Sequence, residues 1–186
     1  RSLPPRGGLS ASGAARRHSV AVAVSGGRDS MALLHCLARA AQAQGVEVWA
    51  LHVHHGLLAQ ADDWAALVEQ TCKRWAGKGL PLRFAMQRLQ GNPGRGQSVE
   101  AWARAGRYAA LASMARDAGC DVIALAHHRA DQAETFLLQA LRGAGAAGLA
   151  SMPASALRGG MTWVRPWLEQ PRETIEAYVR THRIRF

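Results

Sequence analysis

Val20-Ala-Val-Ala-Val-Ser-Gly-Gly-Arg-Asp-Ser30 decides the fold of this chain. Its apolar, partly β-branched half reads as a buried strand, and Gly26-Gly27 break it. From Met31 to Gln44 the apolar residues Leu33, Leu34, Leu37, Ala38 and Ala41 recur at helical spacing, so a helix leaves the turn. A strand running into a glycine turn and out into a helix makes a phosphate cradle. Glycines let backbone N–H groups approach an anion, and the helix N-terminus adds roughly half a positive charge. Ser25 and Ser30 add hydroxyl donors. Asp29 would repel that anion unless it holds Mg²⁺, which then bridges to phosphate oxygens. The plainer reading is a strand-to-helix turn capped by Ser25.

Working outward, strand and helix patterns alternate. Gly45 closes the first helix and Val46 to Val53 is a second strand. Asp62 and Asp63 open a helix to about Gly77, and Pro81 to Leu89 is a third strand. Residues 91–97 form a loop. Ser98 caps a helix of about 20 residues with Glu100 in its first turn. Asp121 to Ala126 is a short buried strand. The next helix runs through Leu141 with Ala133, Phe136, Leu137, Ala140 and Leu141 facing inward. Residues 143–160 read as a long loop, Met161 to Pro166 as the last strand, and Pro171 opens a final helix. This rhythm predicts an α/β fold: a doubly wound, mostly parallel five-stranded sheet with helices on both faces. Its ligands belong at the carboxyl ends of the strands, where residues 25–30, 52–56, 91–98 and 127–134 cluster their polar groups.

The chain has 186 residues, 23 Lys plus Arg against 13 Asp plus Glu, and a net charge of +10, which suits a polyanionic partner. No apolar run reaches the roughly 20 residues of a membrane span, so no membrane role is expected. Cys36, Cys72 and Cys120 are odd in number and form no C-x-x-C pair, which excludes a zinc ribbon and suits a reducing, cytoplasmic setting. Residues 1–18, rich in Arg, Ser, Gly and Pro, read as a disordered tail before one domain over 19–186. The chain begins on Arg1 and stops at Phe186 just after a helix, so it is expected to be part of a longer protein.

Two other glycine motifs are decoys. Gly143-Ala-Gly-Ala-Ala-Gly148 fits the dinucleotide fingerprint in letters but follows a helix instead of a strand. Gly91-Asn-Pro-Gly-Arg-Gly-Gln-Ser98 mimics a Walker A loop with Gln97 where the phosphate-binding Lys belongs.

The strand followed by Ser-Gly-Gly-Arg-Asp-Ser resembles the PP-loop ATP pyrophosphatases, which cleave ATP between the α- and β-phosphates and transfer AMP to a substrate oxygen. Three further segments are similar to the lysidine synthetases within that group. They are Leu51-His-Val-His-His-Gly-Leu57, Ser98-Val-Glu-Ala-Trp-Ala-Arg-Ala-Gly-Arg-Tyr108, and His128-Arg-Ala-Asp-Gln-Ala-Glu-Thr135 continuing to Arg142-Gly and Gly148-Leu-Ala-Ser-Met152. The likeness covers residues 19 to about 183. One position departs: the family's Asp-Asp pair is Ala130-Asp131 here.

The resemblance implies ATP and Mg²⁺ as cofactors, with tRNA(Ile) bearing a CAU anticodon and free L-lysine as partners; a homodimer is among the assemblies it allows. ATP would activate C2 of the wobble cytidine, and the lysine ε-amine would displace AMP. Nucleotide contacts would come from Ala23, Val24, Ser25, Gly26, Gly27, Arg28, Asp29, Ser30, His54, Gly56 and His127. Asp29 and Asp131 would clamp Mg²⁺. Glu134, one turn from Asp131 on the same helix face, would meet the lysine amine. Arg104 and Arg107 would meet tRNA phosphate or the reacting intermediate. His52, His54 and His55 also have the look of metal ligands, yet no third convergent ligand is visible, and a nucleotide-wall role for His54 and Gly56 is preferred. Trp64, Trp75, Trp102 and Tyr108 read as core packing. Further domains for tRNA recognition would lie beyond this chain. The competing readings are another adenylating PP-loop enzyme, of amidotransferase or tRNA thiolation type, and a non-catalytic nucleotide-binding module.

Overall fold

The structure, a computed structural model, describes residues 18–56, 61–91, 93–96, 98–145, 150 and 152–186. The expected tail lies, apart from His18, outside the described residues, as does the end of the Gly143–Gly148 motif. Strands β1 (Ser19–Ala23), β2 (Glu47–His54), β3 (Leu82–Arg88), β4 (Val122–Ala124), β5 (Ser155–Arg158) and β6 (Met161–Val164) form one sheet in the order β3-β2-β1-β4-β6-β5. All pairings are parallel except β5 with β6. The helices are α1 (Arg28–Gln42), α2 (Ala61–Ala76), α3 (Val99–Asp117), α4 (Arg129–Leu141) and α5 (Arg172–His182).

Strand β1 sits in the middle because it can be buried on both faces. Val22 and Val24 enter one core with Leu33 and Leu34 of α1, Val68 and Trp75 of α2, and Ile175 of α5. Ala21, alternate along the strand, enters the other core with Leu51, Ile123 and Leu111 and Met114 of α3. Each fully buried Leu or Ile contributes about 1.5–3 kcal/mol. The chain turns left from β1 to β2 and β3, then crosses back to β4 on the other side. The crevice at this reversal is where open parallel sheets bind ligands, and the segments after β1 and β4 flank it.

Two expectations are corrected. The sheet has six strands, because Ser155–Arg158, read as loop, pairs with β6 as a hairpin. Its turn is Gly159-Gly160, both at positive φ (59° and 74°), the geometry that two-residue hairpin turns demand. The strand is short, exposed and carries a single large apolar residue, so its alternation is faint. The second correction concerns α4. No residue of that helix is buried, and Phe136, Leu137 and Leu141 are 45%, 59% and 85% exposed. The helix is tethered at its first turn instead: Gln132 exchanges two hydrogen bonds with the backbone of Met152, and the Arg129 N–H donates to Gln170 O. Spacing reveals an apolar face, but it does not say what covers that face. Smaller shifts also occur: α1 begins at Arg28, three residues before the apolar pattern starts.

The described helices include none long and apolar enough to cross a membrane. The cysteines lie apart on α1, on α2 and before β4; burial pushes the Cys72 thiol up to about 12 and raises that of Cys120. Cys72 and Cys120 are packing residues of the two cores.

Where α1 meets α5, His35 Nδ1 lies 2.9 Å from Tyr178 Oη, and the ring packs against Trp75 and His182. Burial, aided by His182 and Arg39, pushes His35 down to about 4 from 6.5. The folded state therefore binds fewer protons than the unfolded state between those values. Stability should be indifferent to this group above about pH 6.5, fall as pH drops, and level off near pH 4. Denaturant midpoints measured across pH 4–7 will show that slope, and His35→Gln will remove this residue's share of it.

Candidate active site

The turn after β1 is prepared for an anion. Gly27 is the N-cap of α1 and no side chain caps the helix, so its first-turn N–H groups are left for a ligand. The serines brace the loop: the Ser30 hydroxyl donates to Gly27 O at 2.9 Å and accepts from Ser25 N at 3.2 Å, while Ser25 Oγ accepts from Gly27 N at 3.3 Å. Gly26 holds φ at +95° directly beneath Trp64, whose Cβ would be 3.5 Å from an added Cβ. Arg28 pins the loop from outside. Its Nε donates to Asp29 Oδ1 at 2.8 Å and its Nη1 to Glu176 Oε1 of α5 at 2.6 Å. The Asp29 hydrogen bond raises the guanidinium pKa further, against the effect of burial.

The end of β2 builds the next wall. His52 Nδ1 lies 2.8 Å from the Val24 carbonyl, an acceptor, so this nitrogen carries the proton and Nε2 is left as an acceptor. Burial lowers the His52 pKa, against the Val24 hydrogen bond and with His54 adding to it. His54 is reversed. Its Nδ1 accepts from Gly56 N at 3.1 Å, and Nε2 stands 3.0 Å from Asp62 Oδ1, in ion-pair range but off hydrogen-bond alignment. Asp62 also pairs with Arg88 at 2.7 Å. Burial and then Arg107 push His55 down. The three histidines thus have separate surroundings, and among the described residues no three His, Cys, Asp or Glu side chains gather as a metal centre.

Helix α3 closes the site. Ser98 caps it, its Oγ accepting from Ala101 N at 3.5 Å, and Glu100, Arg104, Arg107 and Tyr108 project into the space above the loop. The resulting cavity of about 610 Å³ is of nucleotide size. It gathers the residues from Ala23 to Ser30 other than Gly26, together with His54, His127, Arg104 and Arg107. Gly26 and Gly56 act through the backbone just behind that wall.

Asp131 and Glu134 are placed differently. Neither lines the cavity, and Glu134 is exposed on α4. Asp131 Oδ2 accepts from His128 N at 2.8 Å, capping α4. Its link to Asp29 is the buried His128 ring, whose Nδ1 is 3.4 Å from Asp131 Oδ2 and whose Nε2 is 3.5 Å from Asp29 Oδ2. His127 lines the cavity; burial and then Arg165 push it down to about 4, with Arg107 and Arg104 adding and Asp131 opposing.

Sequence reasoning missed two residues here. Trp64 was assigned to core packing, but it is 44% exposed and roofs Gly26; Trp75, on the same helix, is the one that is buried. Arg165, at the end of β6, reaches His127 Nδ1 with its Nε at 3.2 Å. Its position at a strand's carboxyl end was the available signal.

A crevice at the strand reversal, with a glycine-serine anion loop opening a helix, defines a nucleotide-binding α/β site. The PP-loop domain model matches residues 9–186, and the chain belongs to that family of ATP-binding domains. It is 48% identical over 166 residues to the tRNA(Ile)-lysidine synthase of Ralstonia nicotianae, covering 88% of this chain and 35% of that protein. It is also 47% identical to the enzyme of the same name from Pseudomonas fluorescens, covering 89% of this chain and 36% of that one. A match to the Chromobacterium violaceum protein of that name is 48% identical, at 86% and 35% coverage. The chain thus spans little more than a third of these curated relatives. Among solved structures, the U34-tRNA thiolase NcsA from Methanococcus maripaludis shares the fold, with a TM-score of 0.75 at 16% identity over 91% of this chain and 59% of that one.

The positive φ at Gly26 makes it the most sensitive position of the loop. Gly26→Ala should cost about 1–3 kcal/mol of stability from backbone strain, and should weaken ATP binding beyond what that loss explains. Thermal melts with and without ATP will separate the two effects.

Proposed function

We propose that this chain is the ATP-binding, adenylating part of a tRNA(Ile)-lysidine synthase working in the cytoplasm. The supporting observation is the single cavity that joins the loop after β1 to Arg104 and Arg107, in a chain 47–48% identical to proteins of that name. In this reading the loop amides and Ser25 hold the ATP phosphates, and His52 and His54 wall the nucleotide. The oxygen of cytidine C2 attacks the α-phosphorus and pyrophosphate leaves; the ε-amine of L-lysine then bonds to C2, AMP leaves with the former carbonyl oxygen, and the amine proton passes to a base. Arg104 and Arg107 stabilise the negative charge that develops between these partners. Glu134, exposed on α4 outside the cavity wall, would meet the lysine amine only if lysine approaches from that side.

Asp29 and Asp131 supply the hard oxygen donors that Mg²⁺ prefers, one or two carboxylates with substrate phosphates completing the shell. The ion would offset the charge of the pyrophosphate leaving group. His128 stands between the two carboxylates, so a shared ion would require that ring to move aside, and Ala130 leaves Asp131 without the family's adjacent acid. A thiolation role has less support: the neighbouring thiolase holds a [4Fe-4S] cluster, whereas the three cysteines here lie on separate elements.

The test is mass spectrometry of tRNA(Ile) with a CAU anticodon after incubation of the full-length protein with ATP and labelled lysine. Incorporation of lysine with AMP release is expected. AMP formation that ignores tRNA, or none at all, would overturn the reading. Asp29→Ala should lower the rate by at least about 10²-fold, and unchanged turnover would remove Asp29 from the magnesium role. Size measurement of the same full-length sample tests for a homodimer.

A further inference from the structure

His127 is half-buried at the mouth of the crevice, and its hydrogen-bond state is set by a residue outside the cavity. Leu125 N donates to Val164 O at 2.9 Å, which carries the β4–β6 pairing past the end of β4 and brings His127 beside Arg165. Arg165 is itself clamped. Its backbone N donates to Ala154 O at 2.8 Å, and its Nη1 donates to Pro153 O at 2.8 Å. Its Nε, the guanidinium's single N–H, meets His127 Nδ1 at 3.2 Å. A guanidinium N–H only donates and does not deprotonate in proteins. His127 Nδ1 must therefore be the bare, accepting nitrogen, and the ring proton sits on Nε2.

We propose that Arg165 is a positioning residue that locks His127 as a neutral Nε2–H donor for an oxygen of the reacting substrate, and thereby bars His127 from serving as a general base. The charged groups around the ring agree. Arg165 from β6 and Arg104 and Arg107 from α3 disfavour a second proton, Asp131 from α4 favours it, and burial leads the balance that pushes the group down to about 4. With Nδ1 occupied and Nε2 already protonated, the ring has no lone pair to take the amine proton. It can donate a hydrogen bond to a phosphate or carbonyl oxygen. The identity of that oxygen rests on the proposed function; the tautomer does not.

The full-length protein labelled with ¹⁵N-histidine, its His127 signals assigned by loss in His127→Gln, reads the tautomer at neutral pH without any substrate. A bare Nδ1 and a protonated Nε2 are expected in the wild type. In Arg165→Met both tautomers should appear and the His127 titration should move up from about 4; Arg165→Lys, which keeps the charge, should shift it less and controls for folding. Lysidine formation should fall up to about tenfold in Arg165→Met and about 10²-fold in His127→Ala, with the double variant no worse than His127→Ala. A protonated Nδ1 in the wild type, or an unchanged His127 titration in folded Arg165→Met, would overturn the proposal. So would additive losses in the double variant. The expected tautomer in a protein that makes no tRNA-dependent AMP would instead overturn the functional reading alone.

Discussion

Everything in this molecule depends on β1 being paired on both edges and covered on both faces. A strand so enclosed has no freedom to slide, since a one-residue slip would exchange Val22 and Ala21 between two differently shaped cores. Its end is therefore a fixed point. The turn that follows inherits that precision, and the helix that begins at Arg28 aims its uncapped N–H groups from it. The phosphate cradle is rigid because the strand before it is.

Around that fixed point the site is tuned mostly by neutral imidazoles. His52 donates its Nδ1–H to a backbone carbonyl, whereas His54 and His127 accept at Nδ1 from a backbone amide and a guanidinium. Burial or neighbouring arginines lower the pKa of His52, His55 and His127. Positive charge in the cavity is thus left chiefly to Arg104 and Arg107, since the Arg28 guanidinium is committed to Asp29 and Glu176. Histidines there provide direction, one as acceptor and another as donor. Such a division fits a polyanionic ligand, because charge attracts it and fixed dipoles orient it.

The parallel sheet, the order of its helices and the anion loop were legible because each is written locally. Alternating valines mark β1, Gly26-Gly27 mark the turn, and Ser98 marks the start of α3. What was not legible depended on partners distant in sequence. The apolar stripe of α4 promises a cover that the described residues do not provide. The hairpin strand β5 has almost no apolar pattern and is defined by the glycine turn that follows it. Trp64 and Trp75 share one helix, yet one roofs the loop and the other fills the core. Asp131 was read as a ligand, and its backbone contact shows that it also caps its own helix. Arg165 offers only its place at a strand's carboxyl end as a local signal, because its role exists only when β6 lies beside β4.

The strand order also sets a schedule. Ser19 at the start of β1 hydrogen-bonds to Gly119, one hundred residues later, and β1 gains its second edge only from β4. During synthesis the first three strands can assemble while that edge is still bare, and a bare central edge is a template for mispairing. The crevice is completed when the chain reaches His127 and His128, and it is braced when β6 delivers Arg165. The nucleotide site is thus assembled across the widest sequence separation in the sheet, and a ligand that bridges β1 and β4 would stabilise that most distant pairing.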